Sequence, residues 1–322
     1  APTLREYVSN GAYRKAVIDA IRRIEGGEVP APPVERLSAR GQFDVPHLVP
    51  ETRPRVGAKR IVAIGDMHCG HVAGLTPPAY QLRENERDPG QTKLARSQAE
   101  AWAWYVAKAK EIGRIDALIV NGDLIDGDGH KSGGTELLTT DRRVQAQIAH
   151  ECLLVWDTST YLITKGTPYH AGNCEEFEVL VAKDLGCRIG SHEWPVVNGV
   201  TLDVKHHAGS SSIPHGRSTG ISKEHLWNLM WSREEAQPEA QIILRSHVHY
   251  HALAGGSEAG RQWVAMTLPA LQTARTRFGA LRCSGVVHFG LVVLEINGPD
   301  DWYWKCHSVK LEHDRAQAFQ LC

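Results

Sequence analysis

Short runs of consecutive apolar residues alternate in this chain with longer stretches whose apolar positions recur every three or four residues. The first run, Ile61-Val62-Ala63-Ile64, follows a basic pair and closes at Gly65. Four unbroken apolar residues, partly β-branched, predict a strand buried on both faces. Residues 93–112 then place Leu94, Ala101, Trp104, Tyr105 and Ala109 on one helical face. A second run occupies 116–123 (DALIVNGD), a helical stretch covers 140–157 with Thr140 or Asp141 as its cap, and a third run begins at Tyr161. Strand, helix, strand with short joints is a βαβ pattern and predicts parallel pairing.

Farther along, 175–185 and 221–235 have helical spacing, and 241–249 (QIILRSHVH) is a strand that ends in paired histidines. Residues 199–207 alternate Val200, Leu202 and Val204, which predicts a strand with one buried face. From about residue 261 the segments QWVAMTL, VVHFGLVVLEI and DWYWKCHSV predict short strands that complete a second sheet. The six aromatics Trp102, Trp104, Tyr105, Trp302, Tyr303 and Trp304 are expected in the core. Residues 4–24 predict two short helices broken at Asn10-Gly11, followed by the Gly/Pro-rich GGEVPAPPVER. This composition shift divides the chain into a helical appendage with its linker, 1–55, and a main domain, 56–322.

Composition narrows the function classes. A formal net charge of -1 excludes a molecule basic enough overall to trap nucleic acid, leaving only a local groove for that role. No apolar run is long enough to span a bilayer, and the first residues lack a charged region followed by an apolar one, so no membrane partner is expected. Seven scattered cysteines without a CxxC pair predict reduced thiols and a cytoplasmic location. Histidine is frequent at 17, and the histidines cluster as His68/His71, His206/His207 and His247/His249/His251.

Chemistry gathers where the strands end. Asp66 and His68 follow the first, two residues apart, which on a strand would send both side chains to one side. Asp123 follows the second, Asn173 the third, His206-His207 the alternating strand, and His247 and His249 the strand after it. Each alone has a bland explanation, such as a turn-capping carboxylate or a hydrogen-bonded core histidine. Their recurrence in order at successive strand ends, where open α/β sheets place ligands, points to one shared site.

The ordered set D-x-H, GD-x-x-D-G, GN-x-E, H and SH-x-H resembles the calcineurin-like metallophosphoesterases over roughly residues 60–250. The resemblance implies an α/β fold, a two-sheet β-sandwich flanked by helices, with a binuclear metal site at the strand ends. It makes Asp66, His68 and His249 ligands of one metal, and Asn173, His247 and either His206 or His207 ligands of the other, with Asp123 bridging. Between the two histidines, His206 continues the parity of Val200, Leu202 and Val204 and is favoured, while His207 stands closer to the following loop. Imidazole, carboxylate and amide ligands suit two divalent ions, Mn²⁺ ahead of Fe, Zn²⁺, Co²⁺ or Ni²⁺. A carboxylate shared by ions ~3.5–4 Å apart offsets their repulsion. The implied activity is hydrolysis of a phosphoester by attack of a metal-bridging hydroxide.

Two positions depart from the family pattern. Ser246 stands where a glycine is usual, and Cys174 stands where phosphatase-like members carry the histidine held to protonate the leaving group. A thiol in a cation-rich site favours its thiolate and is a poor general acid. A subset of small phosphodiesterases in the family also carries GNC followed by an acid. The resemblance therefore leans toward phosphodiesters, with a nucleotide or nucleic acid among the candidate substrates. Phosphomonoesters or phosphoproteins and DNA or RNA cleavage are the rival activities, and a scaffold without catalysis is the rival class. Catalytic candidates are Asp123, Asn173, Cys174 and His170, with His71, His130 and His215 as further proton donors. Asp126 and Glu175 are expected to cap helices or orient ligands, and Arg217 in the loop GSSSIPHGRSTG to grip a phosphate. The sequence leaves the oligomeric state unspecified.

Overall fold

The computed structural model describes residues 57–130, 132–171, 176–211, 213–258, 260–273, 287–313, 318, 320 and 321. The N-terminal appendage with its linker and the GN-x-E block at 172–175 lie outside the described residues. Both sheets belong to the unit that begins at Val49.

The apolar runs form strands. β1 (Lys59–Ile64), β2 (Ala117–Asn121), β3 (Tyr161–Thr164) and β4 (Arg188–Gly190) pair in parallel, in that order. Between them run α1 (Pro89–Ile112), α2 (Arg142–Leu153), the single turn α3 (Pro168–Ala171) and α4 (Glu176–Asp184). α1 begins four residues before the apolar periodicity because Asp88 caps it, accepting from the Gln91 amide at 3.0 Å, and Pro89 suits the first helical turn. Asp141 caps α2 in the same way through the Arg143 amide.

The second sheet contains β5 (His192–Glu193), β7 (Val200–Lys205), β8 (Ile242–Arg245), β10 (Arg261–Thr267) and β9 (Ala252–Glu258), in that spatial order. The short β6 (Val196–Val197) pairs with β7. α5 (Arg217–Arg233) packs on this sheet's outer side. One expectation is corrected here. β11 (Phe289–Gly298) and β12 (Asp301–Val309) do not complete the second sheet but extend the first, β11 lying antiparallel to β1 and β12 antiparallel to β11. The physical reason is that Phe289–Ile296 is buried throughout, so β11 needs an inner position that β12 then covers.

The two sheets face each other across one apolar layer. Ile61, Ala63, Ile119, Val292, Leu294 and Ile296 of the first meet Val200, Leu202, Val204, Ile242, Leu244, Val264 and Met266 of the second. The alternate residues Val62, Ile64, Leu118 and Val120 point outward into a second layer with Ala101, Tyr105 and Ala109 of α1 and Ala146, Ala149 and Leu153 of α2. This is the helix-flanked two-sheet sandwich, and the C-terminal ends of β1, β2, β7 and β8 open at one edge of it.

Candidate metal centre

Each strand that carries candidate ligands stops just before them. β1 ends at Ile64, and Asp66 and His68 follow in a loop with φ of 49° and 46°. Their convergence therefore does not come from the two-residue strand repeat. It comes from left-handed backbone, held by Asp66 N–H donating to Gly122 O (3.1 Å) and His68 N–H to Asp123 O (2.9 Å). Asp123, His247 and His249 also have positive φ, at 51°, 72° and 56°. Such conformations in non-glycine residues cost energy and persist where the surroundings over-determine them. His206 instead continues directly from β7.

Three groups of donors result. Asp66, His68 and His249 form one, Asp123, His206 and His247 a second, and His68, Asp123 and His170 a third, each with its donor atoms within 4.8 Å of one another. Asp66 Oδ1 lies 3.4 Å from His249 Nε2, and His68 Nε2 lies 3.2 Å from the same nitrogen. Asp123 Oδ2 is 3.0 Å from His206 Nε2 and 3.9 Å from His68 Nε2. Ligands held about 2.1 Å from a divalent ion stand about 3–3.5 Å apart, so the spacing fits. Two observations make the fit specific. His206 Nε2 is buried without a directional hydrogen bond, although Asp123 lies beside it, and two imidazole nitrogens face each other at 3.2 Å. Imidazole nitrogens and carboxylate oxygens that converge on a common space are what a divalent cation would take up.

The donors are also oriented from behind. His68 Nδ1 lies 2.9 Å from Asp126 Oδ1, and His206 Nδ1–H donates to Asn121 O at 2.7 Å. Both contacts turn Nε2 toward the site. Asp123 Oδ1 accepts from the Thr167 amide (2.6 Å), leaving Oδ2 for the imidazoles, and the His247 amide donates to Asp66. Burial alone would raise the carboxyls of Asp66 and Asp123. The adjacent His249 and His206 outweigh it and hold Asp66 below the usual range and Asp123 well below it. Burial pushes His247 down to about 4, which leaves a neutral imidazole at physiological pH.

A family model described as calcineurin-like phosphoesterase matches residues 59–251. The chain belongs to this family. No curated protein matches it. Similar solved structures include wild-type Vps29 from Entamoeba histolytica complexed with zinc, 12% identical, covering 78% of this chain and 98% of that one, with a TM-score of 0.36. Another is a novel archaeal phosphodiesterase, 9% identical, covering 77% and 99%, with a TM-score of 0.37. Membership places this calcineurin-like phosphoesterase among hydrolases acting on phosphoesters, and its His/Asp groups among divalent-metal sites.

The remaining sequence candidates separate by position. His170 sits at the site, its ring 4.5 Å from that of His68 and its Nε2 4.0 Å from Asp123 Oδ2. Burial would lower its pKa, but Asp123 and Asp126 raise it to about 9. His207 stacks on His247 at 4.9 Å, is exposed, and belongs to none of the three groups. His71 faces Glu136, His130 pairs with Asp128 in solvent, and His215 is exposed. Arg217 opens α5, with its guanidinium over the Tyr250 ring at 4.6 Å. Asn173, Cys174 and Glu175 lie outside the described residues.

Sequence reasoning missed three supports of this calcineurin-like phosphoesterase site. Glu178 is fully buried on α4 and accepts from the amides of Leu124 (3.0 Å) and Gly166 (2.9 Å), clamping the loops after β2 and β3; burial lifts its carboxyl to about 7. Asn121 donates to Ser246 Oγ (3.0 Å) and Lys205 O (3.2 Å) and accepts from Thr164 (2.6 Å), tying the two sheets together below the donors. The Ser246 hydroxyl that departs from the family glycine thus completes a buried polar network, with Gly65 leaving room for it. The available signal was polarity: Asn121 and Thr164 end otherwise apolar strands, and Glu178 interrupts an apolar helix face.

Proposed function

We propose that this chain hydrolyses phosphoesters, phosphodiesters ahead of monoesters, at a centre of two divalent metal ions. The observation that carries the reading is the convergence of Asp66, His68, Asp123, His206, His247 and His249 from four strand ends into overlapping donor groups. In this reading Asp66, His68 and His249 would hold one ion and His206, His247 and Asn173 the other, with Asp123 shared between them. Mn²⁺ is the ion proposed, and the mixed imidazole, carboxylate and amide donors also suit Fe, Zn²⁺, Co²⁺ or Ni²⁺. Bound there, two such ions would supply Lewis-acid activation of a water and would neutralise charge on the phosphoryl oxygens.

The chain's own residues supply the rest. Asp126 fixes the tautomer of His68, Thr167 fixes the rotamer of Asp123, and the Asn121 carbonyl fixes His206. His170 is assigned as the proton donor to the leaving-group oxygen. Its Nδ1 lies 3.2 Å from Asp126 Oδ1, which orients Nε2 toward Asp123 and the centre. The preference for diesters rests on Cys174, which removes the family's usual monoesterase acid.

The test is direct. Metal-stripped protein reconstituted with Mn²⁺ is assayed on an aryl phosphodiester and the matching monoester. A kcat/KM higher for the diester is expected. Equal or faster monoester turnover would make the protein a phosphomonoesterase or protein phosphatase. No turnover of either ester by protein shown to hold metal would make it a scaffold.

A further inference from the structure

Helix α5 buries Ile221, His225 and Asn228 against the second sheet. Two contacts fix its rotation: the His225 ring stacks on Trp263 with centroids 3.6 Å apart, and Glu224 accepts from the Arg245 guanidinium at 2.7 Å. The opposite face is not the polar surface expected of such a helix. Leu226, Trp227, Met230 and Trp231 are 49–59% exposed there, and the two tryptophan rings lie nearly parallel with centroids 6.3 Å apart. A contiguous exposed apolar patch marks an interaction site.

The pattern within the patch says what fits it. At about 100° per residue, Lys223, Trp227, Met230 and Glu234 fall on one line, directly opposite Ile221 and His225. Their 4-3-4 spacing is that of a coiled-coil seam. The centre of the seam is apolar and its two ends carry opposite charge. An antiparallel copy of the same helix, related by a two-fold axis between Asn228 and Leu229, places Trp227 against the partner subunit's Met230. The same operation places Lys223 against the partner subunit's Glu234, and each contact occurs twice. Neither a lipid surface nor a nucleic acid requires this self-complementarity, and Glu234 and Glu235 at the seam's end oppose both.

We propose that the protein self-associates as a two-fold dimer through antiparallel pairing of α5, leaving its metal centre intact in each protomer. Four half-exposed side chains supply roughly half of the ~800 Å² per partner of a standard interface, so the dissociation constant is expected in the micromolar range.

Analytical ultracentrifugation of the full chain over a micromolar concentration series tests this. The wild type is expected to shift from monomer to dimer. Trp227→Glu, which buries a charge at the centre of the seam, is expected to stay monomeric throughout. Lys223→Glu and Glu234→Lys set like charges opposite each other at both ends and each weaken association by roughly tenfold. An equimolar mixture of these two variants re-creates both opposite-charge pairs and is expected to dimerise as well as wild type. A monomeric wild type, a dimer that survives Trp227→Glu, or a mixture no tighter than its components would overturn the proposal. So would sedimentation of the wild type, but not of Trp227→Glu, with phosphatidylserine vesicles, which would assign the face to a membrane.

Discussion

At the residue scale the site is built from side chains whose backbone is strained and whose far atoms are anchored. Asp66, His68, Asp123, His247 and His249 all hold φ between 46° and 72°. Left-handed backbone costs a non-glycine residue roughly 1–2 kcal/mol, so the loops depend on their cross-links to stay in place. Asp126 is the cross-link easiest to test, because its carboxylate serves both His68 and His170 without belonging to a donor group. Asp126→Asn is expected to lower Mn²⁺ affinity and turnover by roughly 10–100-fold; isothermal titration showing unchanged affinity would remove its orienting role. His170→Asn tests proton donation, with metal content measured alongside because His170 also stands in the third donor group. Turnover of an alkyl phosphodiester, whose leaving group needs a proton, should fall by roughly 10²–10⁴-fold, while a nitrophenyl diester loses far less. Equal losses on both substrates would argue against His170 as the acid. A third prediction concerns Gly122, with φ of +77°, where an added Cβ would lie 2.4 Å from His206 Nδ1. Gly122→Ala must displace the imidazole and break its bond to Asn121, so loss of one metal equivalent is expected by elemental analysis.

At the scale of elements, β7 and β8 deliver His206 and His247, and their register is locked by a buried ion pair next to the site. Arg245 is 2% exposed, lies 2.7 Å from Asp203 Oδ1, and donates to the Asp203 and Leu244 carbonyls. Burial alone would raise the Asp203 carboxyl, but His192 and Arg245 hold it well below the usual range. A depressed carboxylate stabilises the fold fully above its unfolded value near 3.9, and that contribution is lost as pH falls below it through the folded value. Asp203→Asn removes one of the two carboxylates that pair with Arg245, Glu224 being the other, and a loss of roughly 1.5–3 kcal/mol is expected at neutral pH. The gap to wild type should close as pH drops below about 4. A gap in urea midpoints that is independent of pH would mean the carboxylate's charge is not what matters. Most of these elements were legible. The apolar runs located β1, β2, β3, β7, β8 and β10, and the periodicity located all the long helices. The two- and three-residue strands β4, β5 and β6 were not, since such segments are too short to show a period. β9 (ALAGGSE) was hidden by its glycines and exists because β10 pairs with it. The placement of β11 was also out of reach, because an apolar run reveals that a strand is central but not which sheet it centres.

For the whole molecule, the donors come from both sheets: Asp66, His68 and Asp123 follow strands of the first, and His206, His247 and His249 follow strands of the second. The ordered motifs made this gathering legible across nearly two hundred residues. The network beneath it was not, because Asn121, Thr164 and Lys205 have no motif, and they meet the Ser246 of the last block only once the sheets pack. Metal binding should therefore act as a clamp between layers as well as a source of chemistry. Without a cation, facing imidazole nitrogens and strained loops weigh against the closed edge. A ligand that binds only the folded state at 1,000 times its dissociation constant stabilises it by about 4 kcal/mol. One kcal/mol moves Tm by roughly 2–4 °C in a domain of this size, so saturating Mn²⁺ added to chelator-stripped protein should raise Tm by roughly 8–16 °C. Asp123 stands in two of the three donor groups, one of them shared with His68 of the first sheet and one with His206 and His247 of the second. Asp123→Asn should accordingly lose most of that rise, whereas Lys223→Glu, exposed on α5 and outside every donor group, should keep all of it. Calorimetry decides the matter. A Tm indifferent to Mn²⁺ in protein shown to hold two ions, or a full rise in Asp123→Asn, would mean that the metals decorate a sandwich already closed without them.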